Sequence, residues 1–168
     1  MSKIQRIGDL DIDQDLNYQR RAWLVERVGR ALMALLILAA LFGLLGNGPV
    51  SFTRVADPVT GLGLEYDRFL HNSAGSNVRV HVPPPASGEF RLWMSQAYLD
   101  AVRFRQIVPE PFRVEAGRAG ATFVFRAAEP GQAAVVVFRI EPERPGSVPG
   151  EVRLGDGPPV RFEQFVYP

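Results

Sequence analysis

From Ala31 to Gly46 the chain reads ALMALLILAALFGLLG, 16 residues without a charge or a strong hydrogen-bonding side chain. The uncharged stretch continues to Thr53, 23 residues from Ala31. A helix of about 20 apolar residues crosses the hydrocarbon core of a bilayer, because it satisfies its own backbone and exposes only hydrocarbon. The expectation is therefore a single-pass membrane protein with chain on both sides of the anchor.

The charges around this run set the expected orientation. Arg20, Arg21, Arg27 and Arg30 precede it closely, whereas Arg54 and Arg68 follow at a distance and are mixed with Asp57, Glu65 and Asp67. Basic flanks stay in the cytoplasm. In a bacterium this places the N-terminus in the cytoplasm, the anchor in the inner membrane and the C-terminal domain in the periplasm or outside the cell. A cleaved signal peptide is the rival. Against it, about 30 residues precede the run, and the small pair Gly46 and Gly48 is followed by Pro49. A retained signal-anchor fits better.

Sixteen residues of helix span only about 24 Å, so the helix is expected to begin earlier, near Asp15 or Leu16. Asp13 or Asp15 would cap it. Arg20, Trp23, Arg27 and Arg30 then share one face, with Trp23 at the membrane interface and the arginines reaching toward head groups. Asn47-Gly48-Pro49 stops the helix. Ala39, Gly43 and Gly46 form a small-residue stripe that permits close helix–helix approach, and with it self-association or assembly with another membrane protein. The expected organisation is an acidic cytoplasmic tail at 1–15, a juxtamembrane and transmembrane helix at 16–48, a linker at 49–60 and an extracytoplasmic domain at 61–168.

Several functions are excluded by composition. Residues 50–168 hold 13 arginines and 13 acids, so the domain lacks the cationic footprint of a nucleic-acid binder. Cysteine is absent, which removes disulfides, thiolate nucleophiles and zinc–thiolate sites. The tail's Asp9, Asp11, Asp13 and Asp15 resemble the opening of a calcium loop. The sixth position is Gln14 rather than glycine and the twelfth is Arg20 rather than glutamate, so an EF-hand is excluded.

After the anchor, apolar residues alternate in short runs separated by Gly and Pro. Leu62, Leu64 and Tyr66 form one run; Val78, Val80 and Val82 a second; Phe90, Leu92 and Met94 a third; Phe112 and Val114 a fourth. Ala121, Phe123 and Phe125 follow, then Ala134, Val136, Phe138 and Ile140, then Val152 and Leu154, and finally Val160, Phe162 and Phe165 to Tyr167. Period-two alternation with turn signals every 10–15 residues or so predicts an antiparallel β-sandwich, immunoglobulin-like in architecture. One short helix is expected from Gln96 to about Phe104, capped by Ser95, with Pro109 and Pro111 forcing an extended link. Pro83-Pro84-Pro85 and the Pro142–Pro149 segment read as loops, and Gly155-Asp156-Gly157 as a hairpin turn. The hydrophobic ending predicts a C-terminus that docks on its own sheet or on a partner.

The ionisable inventory is thin. Glu65, Asp67 and His71 form the densest cluster, suited to acid–base or metal chemistry, and would serve a hydrolase. No serine lies in G-x-S-x-G, and Gly61-Leu62-Gly63 lacks the rest of a dinucleotide fingerprint. No catalytic residue, cofactor or metal is assigned. Trp93 points opposite Leu92 and Met94 and suits a carbohydrate, a cell-wall fragment or a protein; Phe165 and Tyr167 suit a protein partner.

The tract RRAWLVERVGR, the anchor ending LFGLLGNGPVS, the strand LEYDRFL and the ending FEQFVYP resemble small bacterial single-pass membrane proteins with a β-rich extracytoplasmic domain. That resemblance implies an accessory role beside a larger membrane protein.

Overall fold

The computed structural model describes residues 5–7, 10–12, 16–41, 51–85, 88–127, 129 and 131–168. The chain divides into two compact units, Met1–Leu41 and Phe42–Pro168.

In the first unit, strands β1 (Gln5–Ile7) and β2 (Leu10–Ile12) pair antiparallel, so the acidic N-terminal segment contains a small hairpin. A single helix, α1, spans Leu16–Leu41. Its first half carries Arg20, Arg21, Glu26, Arg27 and Arg30, which leaves Ala31–Leu41 as its only uninterrupted apolar length. Eleven residues rise about 16 Å, roughly half a hydrocarbon core. Among the described residues no helix is long and apolar enough to cross a membrane, which corrects the transmembrane expectation for this segment. Gly43 and Gly46 of the small-residue stripe, and the Asn47-Gly48-Pro49 stop, lie outside the described residues; Ala39 is on α1.

The second unit is mainly β. A five-stranded antiparallel sheet has the order β3-β4-β6-β11-β8: β3 (Phe52–Ala56), β4 (Gly63–Asp67), β6 (Ser76–Val82), β11 (Ala134–Pro142) and β8 (Val102–Val108). A six-stranded sheet has the order β5-β13-β12-β7-β10-β9: β5 (Phe69–His71), β13 (Val160–Tyr167), β12 (Gly146–Leu154), β7 (Glu89–Ser95), β10 (Gly120–Arg126) and β9 (Arg113–Ala116). All pairings are antiparallel except β5 with β13. The inward residues of the two layers build one core, including Leu64, Val80, Phe138 and Ile140 from the first sheet and Leu92, Phe125, Val152 and Phe162 from the second. The likeness to an immunoglobulin domain stops at two packed layers. Among the described residues of this unit, eleven strands in a five-plus-six arrangement with one parallel pairing differ from its smaller all-antiparallel order.

Several local expectations change. The segment 49–60 is more than a linker, because β3 is an edge strand of the first sheet. The helix after Ser95 is only one turn, α2 (Gln96–Leu99). Beyond Asp100, Val102-Arg-Phe-Arg alternates and pairs with β11, so β-branched and aromatic preference wins over helical spacing. Ser95 makes no side-chain cap; its hydroxyl instead accepts the Glu151 N–H at 3.2 Å. β12 begins at Gly146 and contains Pro149, within the segment expected as loop. Phe112 and Val114 are exposed rather than core, because β9 is a sheet edge.

The C-terminus docks on its own sheet, with β13 held between β12 and β5. It also supplies the fully buried Gln164. Tyr98 of α2 donates to Gln164 Oε1 at 2.7 Å, and Gln164 Nε2 donates to the Asp67 carbonyl at 2.8 Å. Tyr98 is itself fully buried, which pushes its phenol well above the ordinary tyrosine range. α2 thus plugs the core, as a short helix between strands is expected to.

Gly150 faces Phe162 across the β12–β13 pair, and a Cβ there would sit 2.3 Å from the ring's Cζ. Gly150→Ala is expected to destabilise the domain by about 1–3 kcal/mol through overpacking. Gly88→Ala, where nothing lies within 4 Å, is expected to stay within about 0.5 kcal/mol of wild type. Urea unfolding of both variants measures the contrast; equal stabilities would contradict this packing.

Candidate functional site

The outer face of the first sheet carries a buried carboxylate. Glu65 on β4 lies opposite Arg54 on β3 and opposite Arg79 on β6. Arg54 donates to Glu65 Oε1, and His81 Nε2 approaches the same oxygen at 3.2 Å. Glu65 is only 7% exposed although it points away from the core, because these longer side chains fold over it. Gly63 makes room for the imidazole, since a Cβ there would lie 3.3 Å from the His81 Cβ. Burial pushes the Glu65 pKa up; the Arg54 hydrogen bond and the His81 contact outweigh it and hold the carboxyl below its ordinary range.

The cluster expected from sequence is not assembled. Glu65 and Asp67 share a strand, but Asp67 accepts from the Ser76 hydroxyl at 3.3 Å. His71 lies on β5 in the other sheet, its ring centroid 6.0 Å from that of Tyr167. The histidine that reaches Glu65 is His81, which period-two spacing on β6 places outward but which only the β4–β6 register brings opposite Gly63. Among the described residues, no group of three or more acids and histidines is arranged to hold a metal ion. The Glu65 cluster is an ion-paired brace of the sheet face.

The outer face of the second sheet carries two further features at opposite ends. At the β5–β13 edge, Phe165 and Tyr167 lie edge to face with centroids 5.2 Å apart, and Phe69 lies 6.0 Å from Tyr167. Phe165 is 45% exposed. The edge is pinned from beneath: the buried Ser51 donates its hydroxyl to the Phe69 carbonyl and accepts the Phe69 N–H, at 3.2 and 3.1 Å. Trp93 sits elsewhere, on β7 opposite Arg153 of β12. Phe165 is level with Ser147 of β12, six residues from Arg153 and so about 20 Å along the strand. Arg161 and Glu151, paired at 2.9 Å, lie between. Trp93 therefore does not join Phe165 and Tyr167 in one surface. The Arg153 guanidinium lies 4.0 Å over its ring, so one indole face is already covered.

On α1, Arg27 lies 4.9 Å over the Trp23 ring and Arg30 pairs with Glu26 at 2.5 Å. Arg20, Trp23, Arg27 and Arg30 occupy the same helix, as the spacing predicts.

No protein-family model matches the chain, and no curated protein sequence matches it.

The lowered Glu65 pKa has a defined sign in stability. The folded state keeps the carboxylate to lower pH than the unfolded chain does, so its stabilisation is complete above the unfolded glutamate pKa of about 4.3. It is lost as pH falls through the folded value. Glu65→Gln is therefore expected to lower the urea midpoint at pH 7, with the gap to wild type closing below about pH 4. A gap independent of pH between 7 and 3 would rule out the ionic role.

Proposed function

We propose that this chain is a membrane-anchored, non-enzymatic accessory protein of a bacterial inner membrane. Its N-terminus lies in the cytoplasm and its β domain outside, where the β5–β13 face binds another membrane or envelope protein. The observation that carries this reading is the apolar half of α1. Leu32, Leu35, Leu36, Leu38 and Leu41 are each more than half exposed. Burying a leucine is worth about 1.5–3 kcal/mol, so five left in water cost on the order of 10 kcal/mol. That rivals the entire stability of an ordinary domain, and an apolar phase removes it.

The sequence supplies the rest of the anchor. In the sequence the uncharged stretch runs on past Leu41 up to Val50, before β3 begins at Phe52, 20 residues from Ala31, which supplies the length that Ala31–Leu41 lacks. Arg20, Arg21, Arg27 and Arg30 favour a cytoplasmic N-terminus. The stripe of Ala39, Gly43 and Gly46 suits helix–helix contact in lipid, with a partner or with a second copy. The exposed Phe165, with the half-buried Tyr167 and Phe69 beside it, matches the aromatic enrichment of protein interfaces. A β domain of zero net charge does not favour nucleic acid.

Cell fractionation tests both parts. The full chain is expected to stay with membranes through an alkaline wash and to leave only with detergent. The Phe165→Ser/Tyr167→Ser double variant is expected to stay in the membrane but lose its cross-linked partner. Recovery of the full chain in the aqueous fraction overturns the anchor. An unchanged cross-linking pattern in the double variant overturns the assigned face.

A further inference from the structure

The six-stranded sheet ends on β9, which is paired only with β10. Every residue from Phe112 to Ala119 is exposed, with Val114 at 51% and Phe112 at 56%. The backbone of this edge has a defined polarity. Just beyond the strand the Gly117 N–H donates to the Gly120 carbonyl at 2.8 Å. Hydrogen-bonded pairs of an antiparallel ladder recur at every second residue. Glu115 and Arg113 therefore turn their N–H and C=O groups toward β10, and Val114 and Ala116 turn theirs away from the sheet. Such a row of outward groups is a template for another strand.

The charges along the edge are arranged about Val114. From Glu110 to Arg118 the chain reads EPFRVEAGR, and its charged residues are Glu110, Arg113, Glu115 and Arg118. Reversal end for end about Val114 lays Arg113 on Glu115 and Glu110 on Arg118, so each charge falls on the opposite sign. A two-fold axis through Val114 performs that reversal on a second copy laid antiparallel. A register shift of two residues one way sets Arg113 against Arg113, and the other way sets Glu115 against Glu115. Like charges directly opposite destabilise a strand pair, and opposite charges stabilise it. A shift of one residue would oppose side chains of different faces. Charges on an edge usually repel a second strand; here they select one register for it. The apolar positions agree. Phe112 falls opposite the small Ala116. Val114 lies opposite Phe123 and so faces the core side, where it borders a groove of about 720 Å³ with Phe104, Ile107, Val108 and Pro111.

We propose that β9 joins two copies of this chain, edge to edge and antiparallel about Val114, so that their six-stranded sheets become one continuous sheet. The two Val114 residues exchange N–H···O=C bonds on the axis. Arg113 of each copy faces Glu115 of the other, and Glu110 faces Arg118 at the ends. Within one copy Arg113 and Glu115 already pair at 2.8 Å, so the dimer gathers two charges of each sign into one cluster. The grooves beside β8 meet at the axis and supply the apolar part of the contact. The contact is isologous and each edge occupies the other, so assembly closes at two copies. A four-residue strand with one groove places it in the small, weak class of interfaces. Phe165 stands near the opposite edge of the same sheet and stays open in the dimer. The inference does not depend on the membrane reading.

The chain has no cysteine, so introduced cysteines report the register directly. The test uses the full chain in detergent under mild oxidation. Val114→Cys puts two sulfurs on the axis with Cα atoms about 5.5 Å apart, within reach of a disulfide. It is expected to cross-link at least about tenfold faster than Arg161→Cys, whose strand lies four places away in the sheet. Arg113→Cys alone separates its Cα atoms by about 7–8 Å and is expected to stay uncross-linked, but to cross-link when mixed with Glu115→Cys. Sedimentation of the unmodified chain is expected to give a dimer with Kd on the order of 10 μM. Arg113→Glu and Glu115→Arg are each expected to weaken it at least about tenfold, and the double variant to return within about threefold of the unmodified chain. Val114→Pro, tolerated where an edge N–H faces solvent, is expected to abolish the dimer. Circular dichroism checks each variant, and the cysteine series decides wherever a charge variant does not fold. A dimer held by α1 alone would survive Val114→Pro and leave Val114→Cys no faster than Arg161→Cys; either result overturns the proposal. So does Arg113→Cys cross-linking as fast as Val114→Cys, or a folded double variant no tighter than its single parents.

Discussion

The β domain depends on a hydrogen-bond chain that joins its two layers and its plug. Tyr98 of the one-turn helix, Gln164 of the C-terminal strand and the Asp67 carbonyl at the end of β4 belong to three different elements. At Asp67 the chain leaves the first sheet and, two residues later at Phe69, starts β5 of the second. Gln164 ties that crossing to β13, and Tyr98 ties it to the end of the core. A fully buried amide on the core face of β13, in line with Phe162 and Val166, would be costly without partners. With both ends of the amide engaged, it also sets register. A one-residue slip of β13 would put Glu163 or Phe165 in its place and turn the aromatic face inward.

That register creates the surfaces on which the functional readings rest. Because Gln164 points in, Phe165 points out beside Tyr167, and Ser51 clamps the adjacent β5 backbone at Phe69. Because Val152 points in, Arg153 points out over Trp93. The aromatic edge and the Arg153–Trp93 stack therefore occupy opposite ends of one outer face, with the Arg161–Glu151 pair between them. The opposite sheet presents a different chemistry, in which Glu65 is buried under Arg54 and His81 and acts as an internal brace.

Much of this architecture is legible in the sequence because burial in a two-layer sandwich repeats every second residue. Val78-Val80-Val82 and Val136-Phe138-Ile140 alternate without exception, and both runs are buried throughout. Edges carry a weaker signal. β3 is exposed or half-buried along its length, so Phe52–Ala56 offers no clean alternation. β8 is masked by its neighbour: Leu99 and Val102 suit a helix until Val102 finds Pro142 across the sheet. The partners of Glu65 are not legible, since Arg54 and His81 converge on it only through two strand registers. Gln164 carries no expected role in the sequence, because a glutamine at an inward position of the Val160-Phe162-Val166 alternation does not announce the partners that bury it. On α1 the helix and its basic face follow from spacing, but the charges from Arg20 to Arg30 leave only the last eleven residues of the helix as an uninterrupted apolar run.

The most direct test of this account is a double-mutant cycle on the buried chain, with Tyr98→Phe, Gln164→Leu and the pair measured by urea unfolding. Each single change strands a buried partner, so a loss of about 1–3 kcal/mol is expected for each. The pair should lose less than the sum, by more than about 0.5 kcal/mol, the bound within which independent sites add. Additive losses inside that bound would show that Tyr98 and Gln164 act separately, and the proposed lock between the two sheets and the plug would be contradicted.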